Sequence, residues 1–278
     1  MSMDLDSRMA RATARMAGRH RIADDVPIRV GVDLGTAFTV VMVTDEAGKP
    51  LCGATTYADV VRDGLVWDFT GASNVLRTLK ENVEQRTGRT LHRAAVTIPP
   101  SVSEADHRAH RYVLESVGFE CEAVVDEPTA ANTVLGIQDG AVVDIGGGTT
   151  GIALIRNGQV DSTLDEPSGG THLSLVIAGA LKIPFEEAES MKRDEANHPR
   201  LFPLVTPVLE KMATIVRDGI KGKDIEHIYI VGGTGAFSGI ESIMTRITGV
   251  ESRVAPHPMY VTPLGVASFA TAGQGASR

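Results

Sequence analysis

The chain has 278 residues, a formal net charge of −8 and 42% hydrophobic residues, a composition typical of a folded protein with a large core. The acidic balance argues against nucleic-acid and anionic-membrane partners. The sequence shows neither an apolar run as long as a membrane span nor a secretory signal. The only cysteines, Cys52 and Cys121, are far apart and indicate neither a disulfide framework nor a zinc site. We therefore expect a cytoplasmic protein.

Residues 1–27 form a separate N-terminal extension. Leu5, Met9, Ala12 and Met16 recur at helical spacing, and arginines at positions 8, 11, 15 and 19 mark a basic face. Two interpretations remain open: a helix that packs on its own domain, or a short amphipathic peptide that docks on a partner.

The first strand–turn–strand pattern begins at Ile28. An apolar strand ends in Asp33, turns at Gly35-Thr36 and returns as a second apolar strand. Glycine leaves backbone N–H groups uncovered, and a row of such amides can bind oxyanions. The aspartate beside them can hold a cation. This segment therefore predicts a phosphate-binding turn.

The same pattern returns in the middle of the chain. An apolar strand ends in Asp144, breaks into Gly146-Gly147-Gly148-Thr149 and resumes as an antiparallel strand. Three glycines are more than a reversal needs, which indicates that the backbone must be approached closely or must adopt positive φ. The repeat predicts two similar lobes, each with one Asp-x-Gly hairpin.

Helical patterning follows each hairpin, as expected for an α/β chain. In the first lobe we predict a helix ending near Gly88, a strand over 94–98, a helix from Ser103 to Gly118 and a strand over 121–125. In the second lobe we predict helices over 171–181, 184–195, 205–220 and 240–247, a strand over 228–231 and a last helix over 262–271. His107 and His110 are interpreted as part of a solvated helix face.

Two segments at predicted helix starts have more than one interpretation. Glu127-Pro128 is a strand-to-helix junction with proline in the first turn, or a site where Glu127 orients a water. Gly169-Gly170 offers free N–H groups before a helix, as an anion site or merely as a cap.

Two further segments lie in the second lobe. Gly232-Gly233 follows a strand and resembles a nucleotide-binding turn, although the Walker and GxGxxG patterns are absent. Glu189, Lys192 and Arg193 share one helix, and helix electrostatics explain them without a ligand.

Together these motifs resemble those of the actin, Hsp70 and sugar-kinase superfamily. The resemblance covers two phosphate motifs, a connecting motif, an adenosine motif and a final connecting helix: residues 33–36, 144–149, 127–131, 230–235 and 263–267. It implies an actin-like ATPase (ribonuclease H-like) α/β fold with two lobes, a nucleotide cleft and minimal subdomain insertions. We expect residues 28–136 plus 263–278 to form lobe I and residues 137–262 to form lobe II.

One stretch narrows the resemblance. Residues 58–69 and 142–152 resemble the EutJ family of ethanolamine-utilisation proteins, which are encoded with bacterial microcompartments and described as chaperone-like. Residues 63–69 are also similar to a stretch of bacterial actins such as MreB. The resemblance implies ethanolamine-pathway enzymes or microcompartment shell proteins as partners, and a location in the cytoplasm or at the microcompartment. Self-association is left open.

The superfamily resemblance also implies roles for individual residues. Asp33 and Asp144 would hold Mg²⁺, and Glu127 would orient the water that attacks the γ-phosphate of ATP. The implied phosphate contacts are Gly35, Thr36, Gly146, Gly147, Gly148 and Thr149, with Gly169 and Gly170 as further cofactor contacts. The implied adenosine contacts are Glu189, Lys192, Arg193, Gly232 and Gly233.

Three departures from Hsp70 limit what is implied. The interval from Asp33 to Thr97 is short and has no clear counterpart of the catalytic lysine of Hsp70. Thr150-Gly151 stands where Hsp70 has Phe-Asp, and we expect no counterpart of the Hsp70 peptide-binding domain. We therefore expect a slow ATPase switch that assists assembly, folding or reactivation of pathway proteins. The alternatives are a nucleotide-binding scaffold without turnover and an actin-like polymer; a small-molecule kinase comes last.

Overall fold

The computed structural model describes residues 3–62, 64–100 and 104–273. The chain divides into two compact units. Unit 1 comprises Met1–Gly136 and Tyr260–Arg278, and unit 2 comprises Ile137–Met259. Within the described ranges, no helix is both long and apolar enough to cross a bilayer.

The secondary-structure elements follow in chain order. The helices are α1 (Met3–Ala14), α2 (Phe69–Thr87), α3 (Glu104–Ser116), α4 (Glu127–Leu135), α5 (Gly170–Leu181), α6 (Phe185–Arg193), α7 (His198–Gly219), α8 (Ile240–Thr248) and α9 (Val261–Val266). The strands are β1 (Ile28–Leu34), β2 (Phe38–Asp45), β3 (Pro50–Tyr57), β4 (Val61–Arg62), β5 (Leu65–Val66), β6 (Arg93–Ile98), β7 (Glu120–Asp126), β8 (Gly140–Ile145), β9 (Thr150–Arg156), β10 (Gln159–Glu166), β11 (His227–Val231) and β12 (Glu251–Val254).

Each unit is built on a five-stranded sheet, and the two sheets have the same strand order. The order is β3-β2-β1-β6-β7 in unit 1 and β10-β9-β8-β11-β12 in unit 2. In each sheet an antiparallel three-strand meander is extended by two parallel strands. This equivalence confirms the internal repeat predicted from the two Asp-x-Gly segments.

Helices cover the sheets, and each unit has its own apolar core. In unit 1 the strands of the meander and β6 pack with α2 and α3; Val32 and Leu76 are fully buried there. In unit 2, β8, β9 and β11 pack with α5, α7 and α8; Val143 and Leu173 are fully buried. The central strands are apolar almost throughout because both of their faces are covered.

The N-terminal extension packs on unit 1. Leu5, Met9 and Ala12 are 5%, 0% and 0% exposed, so the apolar face of α1 is buried. The docking-peptide interpretation required that same face to be available. Of the two interpretations, the structure therefore favours packing on the extension's own domain.

Two histidine-containing segments differ from expectation. His110 is buried rather than solvated, because its spacing from Val113 and Leu114 places it on the face of α3 that packs on the core. Helix α7 begins at His198, earlier than predicted, although Pro203 and Pro207 lie inside it. Burial of the apolar face of α7 stabilises the helix by more than it loses through the backbone hydrogen bonds that these prolines cannot donate.

Two helix ends also differ from or fall outside the prediction. The last α-helix ends at Val266 and continues only as a 3₁₀ turn over Ala267–Phe269, well short of the predicted end at Thr271. Ser103, the predicted start of α3, lies outside the described residues, and α3 is described from Glu104.

Candidate functional site

The β1–β2 turn of unit 1 runs from Asp33, near the end of β1, to Phe38 at the start of β2. Gly35 donates its N–H to the Phe38 carbonyl at 3.0 Å, which closes the turn. In the described part of the chain, the N–H groups of Thr36 and Ala37 donate to no other protein group. Two adjacent amides are therefore available to an anion.

The β8–β9 turn of unit 2 has the same construction. Gly146 donates its N–H to the Thr149 carbonyl at 3.1 Å, and Asp144 occupies the position that Asp33 has in unit 1. Among the described residues, the N–H groups of Gly147 and Gly148 again have no protein acceptor. None of the three glycines has a positive φ, so left-handed backbone is not what they provide.

The glycines around the second turn allow the start of α5 to pack closely against the backbone of the turn. The ideal Cβ of a side chain at Gly169 would lie 2.6 Å from the Gly147 carbonyl oxygen. The next two residues use their amides on the turn: Gly170 donates to the Gly146 carbonyl at 2.9 Å, and Thr171 donates to the Gly147 carbonyl at 2.8 Å. The start of α5 thus binds the carbonyl side of the turn.

This contact changes what can be expected of Gly169 and Gly170. The Gly170 amide is engaged by Gly146, and the Gly169 amide donates to His172 Nδ1 at 3.4 Å. Neither amide has the freedom that an anion site requires. What these two glycines do in the structure is hold the β8–β9 turn in place.

Thr234, in the glycine turn after β11, supports the same loop. Its Oγ1 donates to the Gly146 carbonyl oxygen at 2.8 Å, across 88 residues of sequence. The Gly146 carbonyl therefore accepts two hydrogen bonds, one from Thr234 and one from Gly170. With its carbonyls engaged by protein groups, the turn leaves its amides as the groups available to a ligand.

The two aspartates are supported in different ways. In unit 1, Thr97 at the end of β6 donates its hydroxyl to Asp33 Oδ1 at 2.7 Å. In unit 2, Asp144 is 7% exposed and lies beside Gly232, whose φ is +87°. A side chain at Gly232 would contact Asp144 Oδ1 and would come within 2.5 Å of the Ile145 carbonyl oxygen. The absence of a side chain at Gly232 therefore leaves the space that the Asp144 carboxylate occupies.

Glu127 is the first residue of α4, directly after β7. The Asp126 side chain caps this helix by accepting the Thr129 N–H at 2.9 Å, and Pro128 lies in the first turn as predicted. Since β1, β6 and β7 are parallel, their carboxyl ends meet at one edge of the sheet. Asp33, the first turn and half-buried Glu127 therefore lie at the same edge of unit 1.

The predicted adenosine helix contains a buried ion pair. Glu189 accepts hydrogen bonds from Ser174 Oγ and Lys192 Nζ, both at 2.6 Å, and Lys192 also donates to the Gly170 carbonyl at 3.1 Å. Burial lowers the pKa of Lys192, and the Glu189 carboxylate opposes that shift. Arg193 is exposed at the end of α6. Glu189 and Lys192 thus tie α6 to the start of α5, and through Gly170 to the β8–β9 turn.

Unit 2 therefore brings together residues that are far apart in sequence: the second turn, the start of α5, the end of α6 and the glycine turn after β11. Gly233 lies in open space, with no atom closer than Met259 Cγ at 4.0 Å from its ideal Cβ. Sequence reasoning did not assign Thr97, Ser174 or Thr234. Thr97 and Thr234 are polar residues where buried strands end, a signal that could have identified them.

Comparisons with known proteins identify the family. The chain is 41% identical over 265 residues to the ethanolamine utilization protein EutJ of Salmonella typhimurium, covering 95% of this chain and 93% of that protein. It belongs to the EutJ family. The crystal structure of EutJ from Carboxydothermus hydrogenoformans agrees, with 46% identity, a TM-score of 0.91 and coverage of 96% of this chain and 98% of that one.

More distant likenesses define the superfamily of this EutJ-family chain. Family models for the cell division protein FtsA and for Hsp70 match residues 141–272 and 70–201. MreB 5 of Spiroplasma citri, in a structure bound to AMPPNP, superposes with a TM-score of 0.71 at 16% identity, covering 87% of this chain and 95% of that one. The predicted actin-like ATPase fold is confirmed. The roles assigned to individual site residues remain predictions.

Proposed function

We propose that this EutJ-family chain binds Mg-ATP and acts as a slow, nucleotide-switched accessory protein of ethanolamine utilisation. The observation that carries the proposal is the pair of equivalent Asp–Gly turns, each with two adjacent amides without a protein acceptor in the described chain. The fold supports it, since a relative of that fold, MreB 5, has been solved with AMPPNP.

Each unit presents its own candidate phosphate-binding groups. Unit 1 contributes Asp33 and the amides that follow Gly35, including that of Thr36. Unit 2 contributes Asp144 and the turn over residues 146–149, which α5 and Thr234 hold in place. Backbone dipoles of this kind stabilise the negative charge of a polyphosphate and of the transition state for its hydrolysis.

The residues present also fit a magnesium ion. In the described ranges there is no group of three or more His, Cys, Asp or Glu side chains that would form an all-protein metal cage. Magnesium usually keeps several waters and binds one or two carboxylates together with substrate phosphates. Asp33 and Asp144 supply such carboxylates; the ion would neutralise phosphate charge when bound.

Phosphoryl transfer to water needs positioning and charge stabilisation more than covalent catalysis. We assign Glu127 to orienting the attacking water, because it lies at the same sheet edge as Asp33. For adenosine we retain Gly232, Gly233, Glu189, Lys192 and Arg193. Since Lys192 is already bound to Glu189 and Gly170, we assign it mainly to shaping this part of the site.

In the cell, we propose that the nucleotide state regulates binding to ethanolamine-pathway enzymes or microcompartment shell proteins in the cytoplasm. The family name supports the pathway, and a nucleotide-dependent change in an actin-like fold provides a state that a partner can recognise. Under this proposal lobe I spans 28–136 and 263–278, and lobe II spans 137–262.

The proposal is tested by measuring Mg-ATP binding and phosphate release with wild type, Asp144→Asn and Asp161→Asn. Asp161 is a half-exposed acid on β10 and serves as the matched control in the same unit. We expect Asp144→Asn to weaken Mg-ATP binding by at least about tenfold, the effect of losing one carboxylate at a magnesium phosphate site, and Asp161→Asn to bind like wild type. Absence of Mg-ATP binding by the wild type would refute the proposal.

A specific observation favours a second candidate, a nucleotide-binding module without turnover. Between Asp33 and Thr97 the sequence contains two lysines. Lys80 is paired with Glu84 at 3.0 Å. Lys49 lies in the β2–β3 connection, between Asp45 and Pro50, whereas the proposed phosphate turn is at the other end of β2. Neither is placed to neutralise charge on a leaving phosphate. Tight Mg-ATP binding without phosphate release, alone and with candidate pathway enzymes, would identify this second function.

A further inference from the structure

His198 connects two segments of unit 2 that the nucleotide proposal uses. It is the first residue of α7 and is 3% exposed. Its Nε2 lies 2.8 Å from the carbonyl oxygen of Lys192, in the last turn of α6. Its Nδ1 accepts the backbone N–H of Ser238 at 3.1 Å and lies 2.9 Å from Ser238 Oγ. Ser238 comes shortly after the glycine turn at 232–235.

The partners determine which ring nitrogen carries the proton. A backbone N–H can only donate, so Nδ1 must accept from Ser238. A carbonyl oxygen can only accept, so Nε2 must carry the hydrogen that faces Lys192. The ring also stacks on Phe237, with centroids 4.1 Å apart and an interplanar angle of 29°. His198 is therefore held in one tautomer and one orientation.

This arrangement gives His198 a direct effect on the geometry of the site. The Lys192 carbonyl belongs to the helix end, where carbonyls lack a helical partner, and the imidazole supplies one. The opposite side of the ring fixes Phe237 and Ser238, which follow the 3₁₀ turn Gly233–Ala236. One side chain thus sets the spacing between the end of α6 and the glycine turn.

We propose that His198 is a positioning residue for the nucleoside part of the ligand, holding α6 and the glycine turn at the separation that an adenosine requires. This inference rests on the proposed function, because it assigns Lys192, Arg193 and Gly233 to the nucleoside. It also distinguishes indirect from direct support: His198 bonds to the Lys192 carbonyl and to Ser238, whereas Thr234 Oγ1 and the Gly170 N–H bond to the Gly146 carbonyl of the phosphate turn itself.

The test compares Mg-ATP with Mg-tripolyphosphate, which shares the phosphates but lacks the nucleoside. Dissociation constants are measured for wild type, His198→Ala, His198→Gln and His198→Asn at a temperature at which each is folded. Gln retains a donor for the Lys192 carbonyl, and Asn retains an acceptor for the Ser238 N–H. We expect ATP binding to weaken about tenfold in the Ala variant and less in the other two, as expected when one or two buried hydrogen bonds are lost. Tripolyphosphate binding should weaken less than ATP binding, because this ligand makes none of the nucleoside contacts.

The matched control is His110→Asn, which alters an equally buried histidine in unit 1. It should lower the melting temperature without changing the ATP dissociation constant. If the folded His198 variants bind ATP like wild type, or lose both ligands equally, His198 is only a structural residue and the inference fails. If His198→Ala does not fold, the Gln and Asn variants decide. A wild type that binds no Mg-ATP refutes the proposed function first, and this inference with it.

Discussion

The two units share one sheet topology but differ at their equivalent edge strands. In unit 1 the N-terminal segment lies against β3: Gly53 donates its N–H to the Arg15 carbonyl at 3.1 Å and accepts a hydrogen bond from Arg86 at 2.6 Å. In unit 2 the corresponding strand, β10, has mostly exposed side chains and is interrupted by a β-bulge between Val160 and Ser162.

An exposed edge strand can pair with another chain, and the two units prevent such pairing in different ways. In unit 1 the edge is covered. Arg86 holds the covering segment by donating to the carbonyls of Arg15, Met16 and Gly18. In unit 2 the edge is blunted by a bulge and by acidic residues. The extension is therefore part of the unit 1 fold, although it looked separate in the sequence.

Deletion of residues 1–26 should have the largest effect on this comparison. It would uncover the β3 edge and the apolar surface beneath Leu5, Met9 and Ala12. We expect unit 1 to unfold or aggregate, because several buried side chains and the edge contacts are lost together. Soluble yield and urea denaturation measure the effect; a soluble deletion variant with unchanged stability would contradict it.

A matched pair of substitutions refines the same test. Met9→Ala removes a fully buried side chain beneath the covered edge and should cost about 2–5 kcal/mol of unfolding free energy. Leu164→Ala changes a 37% exposed residue on β10 and should cost about 0.5 kcal/mol or less. Equal costs would mean that the two edges are protected alike.

The supports of the two aspartates provide a second comparison of the units. Gly232→Ala places a side chain against Asp144 at a positive φ and should cost about 1–3 kcal/mol while weakening Mg-ATP binding. Thr97→Val removes the hydroxyl that donates to Asp33 and should cost about 1.5 kcal/mol. Denaturant unfolding of both variants measures the two stability costs, and ATP titration measures the effect on Mg-ATP binding. A Gly232→Ala variant that binds Mg-ATP like wild type would show that the space beside Asp144 is not required.

The smallest expected effect concerns the ion pair of unit 2. Burial lowers the pKa of Lys192 below its ordinary value of 10.5, so the unfolded chain binds more protons in the window between the folded value and 10.5. The stability of wild type relative to Lys192→Gln should therefore rise with pH through that window. Below the pKa of Lys192 in the folded state, the cost of burying its charged ammonium group lowers the unfolding free energy in full.

Urea unfolding from neutral pH to 10.5 measures this pH dependence. Lys80→Gln serves as the matched control, because Lys80 and Glu84 form an ion pair in unit 1 that is about as buried as the Lys192–Glu189 pair. If the unfolding free energy of wild type minus that of Lys192→Gln stays constant or falls as the pH rises, the Lys192 pKa is not lowered in the folded state.

Much of the fold could be predicted because its signals are local. Both Asp–Gly hairpins lie within short apolar segments, and their equivalence identified the repeat. The third strand of each meander was not predicted: β3 mixes small and polar residues, and β10 is mostly polar. Neither has the apolar alternation of a half-buried strand, since their places in the sheets depend on neighbours rather than on their own pattern.

The candidate site was predicted less completely than the fold. The motifs identified the turns and their aspartates. They did not show that the Gly170 amide is engaged by Gly146, that Lys192 is bound to Glu189, or that His198 connects α6 to the glycine turn. These contacts join residues from different elements, and their spacing in sequence carries no signal of them.

By itself, the sequence determined the two Asp–Gly turns, their repetition and the family, because a strand–turn–strand segment is specified by adjacent residues. The tertiary structure decided which backbone groups in those turns are left for a ligand. Thr234 reaches the Gly146 carbonyl across 88 residues, and Arg86 reaches Gly53 across 33. Such contacts form only when packed sheets and helices bring distant polar groups within hydrogen-bonding distance, and buried polar groups must then be satisfied.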